Sequence, residues 1–334
     1  MKKISYLIQL EKENPIVTDY YLRMIGQSLE AIGNKVEYSR GWDKDKVYSS
    51  QVVIVSTATS AMKTLLHGKD YIFWAQGLWP EESFMRNNSL TRKKVCSYIE
   101  KVALKYAKYI FVVSKPMLIF YEKKYELALK HKSFIMPCSN ESFHIKAFED
   151  ENKYKKNIFC FAGSTSVWQC FEETIKLYSY IENKYLNTQL LLLVKDKEKA
   201  IGLIQKYSIK NYEIDYVKVE ELEERLKQVK FGFLLREYSS VNRVATPTKL
   251  LTYLANGIIP IYSECLDGVN DILKETQYKI SYKNDFDISI FSQWLEEKID
   301  VKLLLQEYRA IYRNYYDERE KKREIVEFFK KNEY

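Results

Sequence analysis

The sequence has few of the residues that interrupt regular structure. It holds 10 glycines and 6 prolines in 334 positions, about 5% against roughly 12% in an average protein. Collagen-like, linker-rich and low-complexity readings are excluded by that scarcity. The five cysteines, at 96, 138, 160, 170 and 265, are an odd set without CxxC or metal-ligand spacing. They point to a reduced, cytosolic chain with neither a disulfide framework nor a structural zinc. Three histidines, His67, His131 and His144, leave little for a His-based triad or a His-rich metal centre. Apolar runs such as Leu190–Val194 fall far short of the about 18 residues that span a bilayer. Met1-Lys2-Lys3-Ile4 leads straight into a strand-like segment, so no signal peptide is expected. The common dinucleotide, P-loop, zincin and hydrolase signatures are missing as well.

What is present is globular: 46% hydrophobic and 29% charged residues, with 28 tyrosines, 16 phenylalanines and 5 tryptophans. The aromatics imply a bulky core or an aromatic-lined cleft. The net charge of +8 is a local feature. Arg86 to Lys132 carries 12 Lys/Arg against Glu100, Glu122 and Glu126, while the rest of the chain is near neutral. Within that stretch 90–108 reads as a helix, with Val95, Ile99, Val102 and Tyr106 on one face. Lys94, Lys101, Lys105 and Lys108 lie on another. Such a face is either ordinary solvated surface or a docking surface for something anionic. A nucleic-acid partner is not expected, since no glycine-aromatic or helix-turn-helix signature accompanies the charge.

Strand-like runs at Ile4–Ile8, Val52–Val55, Tyr71–Trp74, Ile110–Val113 and Phe134–Met136 alternate with helical segments such as Thr18–Ile32 and Leu90–Ala107. After a polar stretch, Asn140–Asn157, the alternation restarts. Strands are expected at Ile158–Phe161, Gln189–Val194, Ile214–Val217, Gly232–Leu235 and Ile258–Tyr262. Helices fall at Phe171–Tyr185, Glu220–Val229 and Pro247–Ala255. Two such blocks predict an α/β chain of two doubly wound, Rossmann-like parallel-sheet domains, 1–140 and 141–300, facing a central cleft that holds the ligand. The charged helical stretch 301–334 is expected to cross back onto the first domain. Ser60-Ala-Met-Lys63 is too short a match to matter. The triplets Asp43-Lys-Asp45 and Asp285-Phe-Asp287 could hold a divalent cation against a diphosphate. However, Asp287 fits a helix N-cap and Asp43 a turn, and no metal is expected.

The most informative segment runs from Gly232 to Arg236, through Val241-Asn-Arg-Val-Ala-Thr-Pro-Thr-Lys249, to Gly257 and Ile258–Tyr262. It reads as strand, loop, helix, glycine stop, strand. Pro247 suits a first helical turn and Thr246 is placed to cap it. The free N–H groups at Thr248 and Lys249 would face the loop. A helix start bearing Lys249, near Arg236 and Arg243, suits a diphosphate. A capped helix of an α/β domain has the same form without a ligand.

At these residues the chain resembles the donor domain of GT-B glycosyltransferases, especially family 4-like enzymes of bacterial capsule and O-antigen assembly. Pro247, Lys249, Leu254, Ala255 and Gly257 match the family's Pro-x-Lys-x-x-Glu-x-Leu-Ala-x-Gly helix, while its ribose-binding glutamate is replaced by Thr252. Val244 stands where the usual earlier glutamate would be. Phe159-Cys-Phe-Ala-Gly-Ser164 is similar to the turn that opens the donor domain, followed here by Trp168-Gln-Cys170. Trp74-Ala-Gln-Gly-Leu-Trp-Pro-Glu-Glu82 matches the segment that usually carries a histidine-glycine pair, with Gln76 in the histidine's place. Val112-Val-Ser114 and Ile135-Met-Pro-Cys138 resemble the next strand and the crossover. The Gly-rich loop after the first strand is replaced by Glu13-Asn-Pro15.

The resemblance implies a glycosyltransferase that moves a sugar from a nucleotide-sugar donor, UDP-sugar favoured, to a glycan or lipid-linked glycan acceptor in bacterial surface polysaccharide synthesis. It implies retention of configuration, no metal and no other cofactor. Gly163, Ser164, Trp168, Gln169, Arg236, Asn242, Arg243, Pro247, Thr248, Lys249 and Thr252 would hold the donor. Arg236 and Lys249 would also neutralise the leaving diphosphate, with Gln76, Glu81 and Glu82 serving the acceptor side. Trp74, Trp79 and Trp168 could stack on sugars. The expected location is cytoplasmic, peripheral at the inner membrane face through Lys94, Lys101, Lys105 and Lys108. The missing glutamate at Thr252 motivates the alternative, a non-catalytic GT-B-like subunit that binds a glycan or a partner.

Overall fold

Continuous apolar runs such as Val52–Val55 and Phe231–Leu234 are buried along their whole length, as strands covered by helices on both faces must be. A computed structural model describes residues 5–10, 16–138, 141–165, 167–283 and 285–332. The expectations at Met1–Ile4 and Glu13–Pro15 therefore lie outside the described residues. Two six-stranded parallel sheets organise the chain. The first has the order β2-β1-β3-β4-β5-β6, with β1 Ser5–Leu10, β2 Lys35–Arg40, β3 Val52–Val55, β4 Asp70–Ala75, β5 Tyr109–Val112 and β6 Ser133–Ile135. The second has the order β12-β11-β10-β7-β8-β9, with β7 Asn157–Ala162, β8 Thr188–Leu193, β9 Tyr212–Asp215, β10 Phe231–Leu234, β11 Ile259–Ser263 and β12 Ile280–Tyr282. Helices connect successive strands, so both sheets are doubly wound.

The strands absent from the sequence reading are β2 and β12. Each lies at a sheet edge and needs no two-sided apolar run. β2 is Lys-Val-Glu-Tyr-Ser-Arg and β12 has only three residues.

The chain divides into one unit of 1–140, 243–246 and 315–334, and another of 141–242 and 247–314. The stretch expected to cross back as a block is therefore split. Helix Val301–Tyr315, except for its last residue, groups with the second unit, with Tyr308 fully buried and donating to Tyr278 O at 2.6 Å. Helix Glu318–Asn332 belongs to the first. Its Ile325 and Phe329 enter the core of Ile8, Leu22, Ile54, Trp74 and Phe111, and Tyr109 donates to Asn332 O at 2.8 Å. Truncating a buried phenylalanine such as Phe329 typically costs about 3–5 kcal/mol.

Helix Leu90–Tyr106 is rotated from its predicted orientation. It buries Cys96, Glu100, Ala103 and Leu104, and leaves Val95 and Tyr106 exposed. The reason is a buried polar network that an apolar pattern cannot reveal. Tyr125 donates to Glu100 Oε2 at 2.6 Å, Lys124 lies 3.7 Å from the same oxygen, and burial pushes the Glu100 carboxyl up to about 7.

Candidate functional site

Helix Thr248–Ala255 is fixed over β10 by Tyr253, whose hydroxyl donates to Phe233 O at 3.0 Å. Its start departs from expectation. Pro247 itself is the N-cap, with φ −62° and ψ 130°, and no side chain caps the turn. Proline's fixed φ serves an extended cap as readily as a first helical residue. The first-turn N–H groups are thus left without a side-chain cap.

Lys249, in that turn, lays its ammonium 3.8 Å from the centroid of the Phe161 ring and donates to Gln169 Oε1 at 3.3 Å. Gly163, just past β7, has φ +139°, and a Cβ there would stand 3.3 Å from Lys249 Cε. A side chain would therefore be strained and would press on the lysine. Arg236 follows β10 and is only 5% exposed. Its backbone N–H donates to Ser263 Oγ at 2.8 Å and its Nη1 to Leu235 O at 2.8 Å. Burial lowers the pKa of both basic groups. The neighbouring guanidinium lowers that of Lys249 further, well below the usual lysine range. Two cations that repel one another away from water are costly, and an anion between them would relieve both the repulsion and the desolvation.

Asn242 is buried and donates to Glu237 O at 2.8 Å, which ties down the loop after Arg236. Thr248 is exposed at the helix start, and Ser164 and Trp168 are exposed beyond Gly163. Arg243 is exposed in a stretch that groups with the first unit. One turn beyond Lys249, the Thr252 hydroxyl donates to Glu141 Oε2 at 3.0 Å. The other oxygen of Glu141 lies 3.1 Å from His144 Nε2, and His144 Nδ1 lies 3.3 Å from Glu223 Oε2.

In the first unit Gln76 is exposed just past β4 and accepts from the Thr18 hydroxyl at 3.3 Å. The two neighbouring glutamates have different surroundings. Glu81 is buried and ion-paired with Lys124 at 2.9 Å and Lys93 at 3.7 Å, so it braces helices instead of offering a free carboxylate. Glu82 lies against Gly77, where a Cβ would come within 2.1 Å of Glu82 Oε1. Burial raises its pKa despite Arg86 at 3.7 Å. Trp74 is a core residue packed on Tyr21 at 4.9 Å and has no face to offer a sugar. Asp43 caps helix Lys44–Ser49. Asp287 does not cap a helix: it accepts from Ser289 N–H at 2.8 Å in a turn, as Asp285 does from Asp287 N–H at 3.1 Å. Among the described residues no group of three or more His, Cys, Asp or Glu is placed to hold a metal.

No family model matches the sequence, and no curated protein matches it either. Solved structures do. Sucrose-phosphate synthase from Thermosynechococcus elongatus aligns over 99% of both chains with a TM-score of 0.72 at 12% identity. The HepE protein of Anabaena, in complex with UDP and glucose, aligns over 98% of this chain and 99% of its own with a TM-score of 0.69 at 10% identity. A glycosyltransferase from Rickettsia africae aligns over 99% of both chains with a TM-score of 0.68 at 12% identity. The chain has the GT-B fold.

Two residues of the second unit's cluster are absent from the sequence reading. Phe161 lies in the Phe159–Ser164 segment at the end of β7, and its strand position could have placed it beside the site. Glu141 carried no local signal, because it meets Thr252 across 111 positions of chain.

Proposed function

We propose that the chain is a glycosyltransferase that takes its sugar from a nucleoside diphosphate donor, with the diphosphate held in the second unit. The observation that carries this reading is the placement of two basic side chains, half-buried Lys249 and buried Arg236, beside an uncapped helix start and the Gly163 turn. As the sugar leaves, negative charge grows on the diphosphate. Preorganised charge partners of this kind contribute on the order of 10²–10³ in rate. In this reading the two cations, not a metal, neutralise the leaving group. The acceptor attacks on the leaving-group face with retention of configuration, and a donor phosphate oxygen takes its proton.

Glu141, with Thr252, receives the hydroxyls of the nucleoside sugar. Gln76 and Glu82 meet the acceptor, a glycan carried on a lipid in bacterial surface polysaccharide assembly on the cytoplasmic side of the membrane. UDP is the preferred nucleotide, supported by the UDP bound to the Anabaena neighbour. A non-catalytic subunit is less well supported, since its motive was a carboxylate missing at Thr252 and Glu141 stands 3.0 Å from that hydroxyl. The test is thermal unfolding with UDP-, GDP-, CDP- and dTDP-sugars. A ligand present at 100 times its Kd stabilises by about 2.7 kcal/mol. If no nucleotide sugar shifts the melting of the folded protein, the donor site is refuted.

A further inference from the structure

We infer that the exposed face of helix Leu90–Tyr106 docks on an anionic lipid bilayer, with apolar side chains entering among the headgroups between its lysines. At 100° per residue, Leu90, Lys94, Tyr98, Lys101 and Lys105 follow one another at spacings of three and four and form a single stripe. Val95 and Tyr106 border it on one side. Leu90 is 65% exposed, Tyr98 67%, Val95 55% and Tyr106 53%, and Lys94, Lys101 and Lys105 are exposed among them. Lys108, partly exposed, follows the helix end.

The buried side is Cys96, Glu100, Ala103 and Leu104, so the apolar groups outside are surplus to the fold. Large apolar groups left in water next to a row of lysines are the pattern of an interfacial helix. Tyrosine suits the headgroup level, where its ring and hydroxyl are both satisfied. The occupant follows from charge. Arg86 to Lys132 holds a balance of +9 in a chain otherwise near neutral, which an anionic leaflet complements. Among the described residues no helix is long and apolar enough to cross a membrane, so the contact is to one leaflet. None of this depends on the donor reading, and the test reads binding without turnover.

The experiment is co-sedimentation of the full chain with phosphatidylcholine vesicles, with and without phosphatidylglycerol. Each lysine near an anionic leaflet contributes about a factor of five, so four predict a preference on the order of 10²–10³ for the anionic vesicles. Attraction screened over about 8 Å at physiological salt should weaken as salt rises. Replacing Lys94, Lys101, Lys105 and Lys108 by glutamine should abolish the preference. Leu90→Ser with Tyr98→Ser should remove the part of the binding that survives high salt. All six side chains are at least partly exposed, and circular dichroism would verify folding. Equal binding to both vesicle types overturns the proposal, as does binding indifferent to the four glutamines. Lysine-dependent binding to duplex DNA that exceeds vesicle binding would assign the face to a nucleic acid instead. If the serine pair changes nothing, the insertion of Leu90 and Tyr98 is refuted.

Discussion

Replacing Lys249 by methionine should make the empty protein more stable and a poorer binder. The ammonium is desolvated and repelled by Arg236, and both effects disfavour its charged form. Methionine has a similar length and would keep the contact with Phe161. Exchanging buried charge for well-packed apolar groups is often neutral or stabilising by about 1–4 kcal/mol, and the loss of the contact with Gln169 Oε1 at 3.3 Å offsets part of this. A net gain of about 1–2 kcal/mol would raise the melting temperature of a unit this size by roughly 2–8 °C. A hydrogen bond to a charged group is worth about 1.5–3 kcal/mol, so UDP affinity should fall by about 10- to 100-fold. Calorimetric melting gives the first quantity and titration calorimetry with UDP the second. The two changes should have opposite signs, as expected where a site stores unfavourable charge for its ligand. If Lys249→Met melts lower and binds UDP unchanged, the lysine is a structural residue and the reasoning fails.

Glu141→Gln should weaken UDP while leaving pyrophosphate binding intact, and the preference for UDP over 2′-deoxy-UDP or 3′-deoxy-UDP should shrink by about tenfold if the carboxylate accepts a sugar hydroxyl. Unchanged discrimination by titration would free Glu141 from the donor. The two units should also answer pH in opposite directions. Glu100, in the first, is raised from 4.5 to about 7. The native state therefore holds the extra proton, and up to about 3 kcal/mol of stability is lost as pH rises from about 4.5 to 7. In the second unit burial lowers Lys153 from 10.5 to about 7 and Lys230 to about 8. There the unfolded chain binds more protons, and stability rises from about pH 7 towards 10.5. Scanning calorimetry across pH 5–9 should resolve the opposite slopes, and Glu100→Gln should flatten the first. A common slope for both units would contradict the assignment.

Ten of the twelve strands could be read from the chain: the eight inner ones because two-sided burial writes itself as an apolar run, and the edge strands β6 and β9 from their few apolar residues. Val52–Val55 was placed to the residue, and most others to within one or two. The exceptions follow the same logic. β2 and β12 lie at edges, where one flank bonds to nothing and charge costs little. For helix Leu90–Tyr106 periodicity predicts the helix but the wrong buried face, because its hidden face contains Glu100, satisfied by Tyr125 and neighboured by Lys124. Periodicity counts only apolar residues, and a buried carboxylate with partners supplied from elsewhere in the chain leaves no trace in it.

The candidate site divides along the same line. The neighbourhood of Lys249, Gly163 and Arg236 is legible because each sits just past a strand or in the first turn of a helix, at the strand ends where parallel sheets place their ligands. Glu81 and Glu82 could not be told apart, since they are adjacent in one loop and differ only in what reaches them. Lys124 and Lys93 take the first, and Gly77 makes room for the second. Glu141 reverses the usual direction of inference. From the helix alone Thr252 reads as a lost carboxylate, because a motif counts a carboxylate by its place in the chain. What a ligand meets is a carboxylate's place in space, and Glu141 brings one to 3.0 Å from the Thr252 hydroxyl from outside the motif. A departure from a helix motif therefore weighs against a binding function only after the residues packed on that helix have been searched for the missing group.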